Sequence, residues 1–175
     1  MNKNIKDALS DSIRGFRLPR YHEIPDVGLY LEQTTKYINQ SVQSLGFGEM
    51  TGSMIRNYVK QGLVTNPVNK QYSVNQIAHL MVIAILKQVI PLEHISVFFL
   101  LQEKVYSDEV AYNYLCDELE NILYHRFGLK ADFENVGVTD TAEKEMLHSA
   151  IIAVSHMVYL KACMNELSAT AIPHK

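Results

Sequence analysis

The sequence predicts an all-α fold built around a winged helix-turn-helix, with a small β-hairpin wing and a helical subdomain after it. Three observations between Met50 and Ile95 predict it. Helical spacing over Met54–Gln61 gathers Met54, Ile55, Tyr58 and Val59 on one arc and Arg56, Asn57, Lys60 and Gln61 on the other. Gly62 is suited to the left-handed turn that ends a helix, and Leu63 can fold back onto it. Thr65-Asn66-Pro67 and Asn69-Lys70 are turn chemistry between the short apolar pieces Leu63-Val64 and Gln71-Tyr72, so a hairpin with Asn69 and Lys70 near its tip is expected. Ser73, with Gln76 three residues on, then forms a capping box that starts the next helix.

The flanking elements follow in order. Residues 1–20 lack a sustained apolar period and read as a basic, partly ordered arm. Tyr21–Asp26 is a proline-bearing lead-in, with Asp26 a candidate cap. Val27–Leu45 is amphipathic, with Tyr30, Leu31, Thr34, Tyr37, Ile38, Val42 and Leu45 on one face, and forms the first helix of the motif. Thr51 or Ser53 caps the second helix, and either hydroxyl is also placed to meet a phosphate. Val74–Ile90 is apolar all round and reads as the buried central helix, with His79 a hydrogen-bonded core or boundary residue rather than a ligand. Pro91 suits the first position of the following helix.

Ser107 or Asp108 starts a further helix that stops near Gly128, and Lys130–Val138 reads as a loop. Asp140, with Glu143 three on, is a candidate cap for a last helix reaching about Leu167. Its apolar residues Met146, Leu147, Ala150, Ile151, Val154, Val158 and Leu160 exceed one stripe, so a second copy of the chain is expected to cover part of it. The division read from this is 1–20 arm, 21–105 winged helix-turn-helix domain, and 106–175 C-terminal helical region engaged in dimerisation.

Arg56, Tyr58, Gly62-Leu63-Val64, Pro67, Tyr72, an apolar helix and then Pro91-Leu92 with Ile95 resemble, in that order, the DNA-binding half of MerR-type transcription regulators. The resemblance covers Thr51 to about Leu101. The upstream run Leu18-Pro19-Arg20-Tyr21, Pro25-Asp26 and Leu29–Gln33 is similar to an uncharacterised bacterial family, common in Firmicutes and known as a domain of unknown function, that carries the same MerR-like segment. MerR proteins usually have an aromatic where Asn57 stands, an acid where Val59 stands, and an arginine in the wing where Lys70 and Gln71 stand. The resemblance implies double-stranded DNA as the partner.

Charge distribution agrees with that implication. The net charge is −3, yet Thr51–Leu92 contains no Asp or Glu while Arg56, Lys60, Lys70 and Lys87 give +4. A carboxylate-free segment at the reading head is what approach to phosphate requires. Ser53, Arg56, Asn57, Lys60 and Gln61 are the expected major-groove residues, and Asn69, Lys70 and Gln71 the wing contacts. Cations and amides are the side-chain types that match guanine and adenine edges, although an ordinary solvated helix face has the same composition.

Other chemistry is sparse. There is no GxSxG, Walker loop, GxGxxG or HExxH, so no enzyme and no cofactor are expected. His125, His148 and His156 have no spacing that fixes a metal geometry. Tyr112, Tyr114, Tyr124 and Tyr159 are candidates for a small-molecule pocket or for plain core. Cys116 and Cys163 read as buried thiols. No run approaching the ~18 apolar residues of a membrane span is seen, and no apolar leader at the start, so a cytoplasmic protein without a membrane partner is expected. The function predicted is a sequence-specific DNA-binding transcription regulator acting as a homodimer. The alternative is a protein-interaction module that retains the winged-helix fold without reading DNA.

Overall fold

In the computed structural model, residues 3–132 and 141–171 are described, and they form seven α-helices and one two-stranded antiparallel sheet. The centre is α4 (Val74–Leu86), in which Ile77, Leu80, Met81, Ile83, Ile85 and Leu86 are all fully buried. Each such side chain contributes about 2 kcal/mol of hydrophobic stabilisation. Its start is the expected capping box: Gln76 N donates to Ser73 Oγ (3.5 Å) and Ser73 N to Gln76 Oε1 (2.8 Å). Helices α2 (Leu31–Val42), α6 (Asp108–Arg126) and α7 (Ala142–Ala171) pack around α4, and α6 lies along α7.

The N-terminal twenty residues differ from the expected partly ordered arm. Lys3–Ile13 is a helix, α1, with Leu9 and Ile13 buried, and the extended stretch after it buries Phe16 and Leu18. Polar anchors hold it down. Ser10 Oγ donates to Phe127 O (2.6 Å), Leu18 N donates to Glu120 Oε1 (2.9 Å), and Tyr112 Oη donates to Pro19 O (2.9 Å). Arg20 grips Glu120 with both terminal nitrogens (2.6 and 2.8 Å) and reaches Asp117 Oδ1 at 2.8 Å. One continuous core therefore runs from Leu9 to Val158, across the boundary expected near residue 105.

The first helix of the motif is shorter than expected. Gly28 takes φ +77°, and Leu29-Tyr30 spend their backbone groups as strand β1 on Gln71-Tyr72, strand β2, so α2 begins only at Leu31. Asp26 is thus too far upstream to cap it, and Gln33 Oε1 accepts from Tyr30 N at 2.9 Å instead. The hairpin expected between Leu63-Val64 and Gln71-Tyr72 is corrected accordingly. Leu63 and Val64 are buried outside any strand, and β2 pairs with β1, Leu29 opposite Tyr72 and Tyr30 opposite Gln71.

After α4, Pro91 is the N-cap of α5 (Leu92–Gln102) rather than its first residue. His79 Nε2 lies 3.1 Å from Asp108 Oδ1 and stacks on Phe99, the boundary role expected of it. Ser107 caps α6, accepting from Val110 N at 3.4 Å. Asp140 and the loop residues 133–138 lie outside the described residues. At the start of α7, Thr141 Oγ1 accepts from Lys144 N (3.3 Å). Contrary to the sequence expectation, α7 is long and apolar enough to cross a membrane by length and composition. Part of that apolar character is accounted for by the core, in which Leu147, Ala150, Ile151, Val154 and Val158 are buried.

Candidate nucleic-acid interface

Helix α3 (Gly52–Lys60) carries most of the candidate residues, and its two ends are set by local chemistry. Thr51, not Ser53, is the N-cap, its hydroxyl accepting from Met54 N at 3.2 Å. At the other end Gly62 N donates to Val59 O (3.0 Å) and Leu63 N to Tyr58 O (3.0 Å), with Gly62 at φ +77°. Those two bonds are a Schellman motif, which satisfies the last carbonyls and turns the chain sharply away. Ile55 and Tyr58 anchor the inner face in the core.

The loop before α3 is fixed as firmly. Asn39 Nδ2 donates to Met50 O (2.9 Å) while Met50 N donates to Asn39 Oδ1 (2.8 Å), a two-point clamp between α2 and the turn. Gly52 lies close against Leu31, where an added Cβ would stand 3.2 Å from Leu31 Cδ2. The helix pair is thus close-packed, and α3 cannot rotate about its axis without breaking these contacts.

Ser53, Arg56, Asn57, Lys60 and Gln61 are all exposed on the outer face of α3. Among the described residues, neither Arg56 nor Lys60 has a carboxylate within ion-pair distance. Ser53 and Arg56 border a groove whose other wall is α2, through Glu32, Thr35, Lys36 and Asn39. Lys36 borders the same groove and was not among the expected residues. Its signal was present in the polar face of α2, but only the α2–α3 packing puts it beside Arg56.

Asn69 and Lys70 form the tip of a tight turn. Both have positive φ (51° and 64°), and Gln71 N donates to Val68 O across them at 2.9 Å. Both side chains are exposed. Gln71 departs from the expected set, since it sits in the ladder opposite Tyr30, half-buried against Gly28. Burial pushes the hydroxyl of Tyr72, just after the turn, above its ordinary range, and the Arg56 guanidinium opposes that rise. The structure therefore brings seven of the eight expected residues to the surface around α3 and the turn, with Gln71 lining the strand behind them.

Residues 19–122 match a family described as a domain of unknown function, DUF1836. The chain belongs to the DUF1836 family. The DUF1836 segment begins at Pro19, inside the stretch that Arg20 locks to α6, and includes α2, α3, the β1–β2 sheet, α4 and α5. It ends within α6, so α1 and α7 lie outside it and complete its core. No curated protein and no solved structure matches the chain.

Several of the remaining candidate residues have structural partners. The hydroxyl of Tyr124 donates to Phe16 O, and Tyr159 stands edge-on to Phe127 with Arg126 over its ring. Burial pushes the Cys116 thiol up to about 12, leaving it protonated and inert at neutral pH. Cys163 is only partly buried, unlike the expectation for it. His148 pairs with the buried Glu118, whereas His125 and His156 are exposed on α6 and α7.

Proposed function

We propose that this protein is a sequence-specific, double-stranded-DNA-binding transcription regulator with a MerR-like winged helix-turn-helix. In this reading α2 and α3 are the helix pair, α3 enters the major groove, and the Val68–Gln71 turn is the wing. The observation that carries the reading is the outer face of α3. It presents Arg56, Asn57, Lys60 and Gln61 to solvent, held by a rigid inner face, in a segment free of carboxylates from Thr51 to Leu92. An exposed guanidinium beside exposed amides is suited to base edges, and Lys36, Lys60 and Lys70 are suited to phosphates on either side.

A homodimer is part of the proposal. Val97 and Leu100 on α5, and Met146, Leu160, Met164 and Leu167 on α7, are large apolar side chains exposed in the single chain. Between these helices runs an apolar groove lined by Ile90, Val97, Leu101, Met146 and Ala153. A second copy seated there doubles a modest positive charge and presents two reading helices to two half-sites. Such a protein works in the cytoplasm and needs no cofactor for binding.

The test is titration of a pool of labelled duplex fragments with the full chain at low and moderate salt. Binding that weakens as salt rises and enriches a pseudo-palindrome is the expected result. Absence of binding at low salt, or binding with no enriched sequence, would sink it. The apolar α5–α7 groove would then favour the protein-interaction module instead.

A further inference from the structure

A cavity of about 180 Å³, partly open to solvent, lies where α5, α6 and α7 meet. Its walls are almost wholly carbon, supplied chiefly by Phe98, Tyr106, Val110, Tyr114 and Leu147. Of the four tyrosines singled out from the sequence, Tyr114 alone lines it. An engineered apolar cavity of roughly 150 Å³ in another protein stays dry and takes up benzene, so this volume is sufficient for one substituted six-membered ring.

One polar group stands out on the wall. Gln102 is 9% exposed, and its amide nitrogen donates to Asp108 Oδ1 at 3.3 Å. Its carbonyl oxygen receives no hydrogen bond among the described residues, yet it is not among the atoms sealed from solvent without a partner. Gln102 lines the cavity. Glu143 and Lys144 complete the lining with opposite charges, so no net field selects an ion, and Lys144 Nζ stands 5.6 Å from the centre of the Tyr114 ring.

We propose that this cavity binds a small, neutral, monocyclic aromatic molecule carrying one hydrogen-bond donor. The ring occupies the space between Phe98, Tyr106 and Tyr114, and the donor meets the Gln102 carbonyl oxygen. Aromatic walls favour a flat ring through edge and face contacts. A buried acceptor discriminates against an otherwise similar molecule that lacks the donor. The inference is independent of DNA reading, since it rests on the α5–α6–α7 junction and not on α3.

The experiment is titration of the full chain, with ¹³C-labelled valine and leucine methyl groups, by phenol and by anisole. Phenol is expected to shift the Val110 and Leu147 methyl resonances saturably, and to bind about fivefold more tightly than anisole, whose oxygen cannot donate. Ala111→Leu, which fills the cavity from α6, is expected to abolish the shifts while helical content and melting are kept. The phenol–anisole comparison in the parent protein stands even if that variant fails to fold. Shifts that do not saturate, shifts at methyls remote from the cavity, or survival of binding in folded Ala111→Leu would overturn the site. Equal affinity for phenol and anisole would overturn the donor-bearing class of ligand.

Discussion

Arg20 and Arg56 are the same residue type in opposite circumstances, and the contrast separates what holds this fold from what the fold presents. Arg20 is sunk between the N-terminal stretch and α6, only 17% exposed, with Glu120 and Asp117 around it and the Leu18 carbonyl on one of its nitrogens. The carboxylates, Glu120 foremost, hold its guanidinium even further above its already high range. Arg56 is exposed on α3 and has no carboxylate within ion-pair distance among the described residues. A cation that is already neutralised acts as a clamp. A cation kept away from acids remains available for a phosphate or a guanine. In sequence, no Asp or Glu falls between Thr51 and Leu92, although Glu32 of α2 borders the groove that Arg56 lines.

Breaking the clamp is expected to have the largest effect. Arg20→Ala leaves Glu120 largely buried without its partner and releases Leu18, so a loss of about 3 kcal/mol in urea unfolding is expected. A loss below about 1 kcal/mol would mean that solvent reaches Glu120 readily and that the pair behaves as a surface one. The corresponding change on α3 is expected to do the reverse. Arg56→Glu with Lys60→Glu should lower duplex affinity more than 100-fold while shifting unfolding free energy by no more than about 0.5 kcal/mol. If duplex affinity survives in the double variant, α3 is not the reading helix.

These differences also mark what was legible in the sequence. The Ser73–Gln76 box, the Gly62 exit and the apolar α4 are short-range events, each specified by residues close together in sequence. Arg56, Asn57, Lys60 and Gln61 were legible as an outer face for the same reason. What escaped reading depends on distant partners. Leu29-Tyr30 looked like the start of a helix because their strand partner lies about 40 residues away, and the ladder there overrides helical spacing. Residues 1–20 looked loose because Leu9, Ile13, Phe16 and Leu18 make too short a pattern to announce a helix. Their stability comes from α6 and α7, and Glu120 is a hundred residues from Arg20.

The wing turn allows charge and conformation to be separated. Lys70 sits at φ 64°, a conformation costing a non-glycine residue roughly 1–2 kcal/mol, which glycine adopts freely. Lys70→Gly is expected to stabilise the fold by up to about 1 kcal/mol. At the same time it should weaken DNA binding across all sequences and reduce the slope of log affinity against log salt by about one. Loss of stability would show that the Lys70 side chain has a packing role that its exposure does not suggest.

The smallest effects are expected at the start of α3, where two hydroxyls stand two residues apart. Thr51 spends its hydroxyl on Met54 N, whereas Ser53 is exposed in the first turn with its hydroxyl directed to no partner among the described residues. Thr51→Ala should therefore cost about 1 kcal/mol of stability, the usual worth of an N-cap. Ser53→Ala should leave stability within about 0.5 kcal/mol of the parent, because no described residue bonds that oxygen. On duplex DNA the ranking is expected to differ: Ser53→Ala weakens binding a few-fold with no change in salt slope, since a neutral hydroxyl displaces no counterion when it meets a phosphate. Urea unfolding and a salt-varied titration on the two variants read both quantities. If Ser53→Ala leaves DNA affinity untouched while Thr51→Ala lowers it, the first turn of α3 serves only to orient Arg56 and makes no contact of its own.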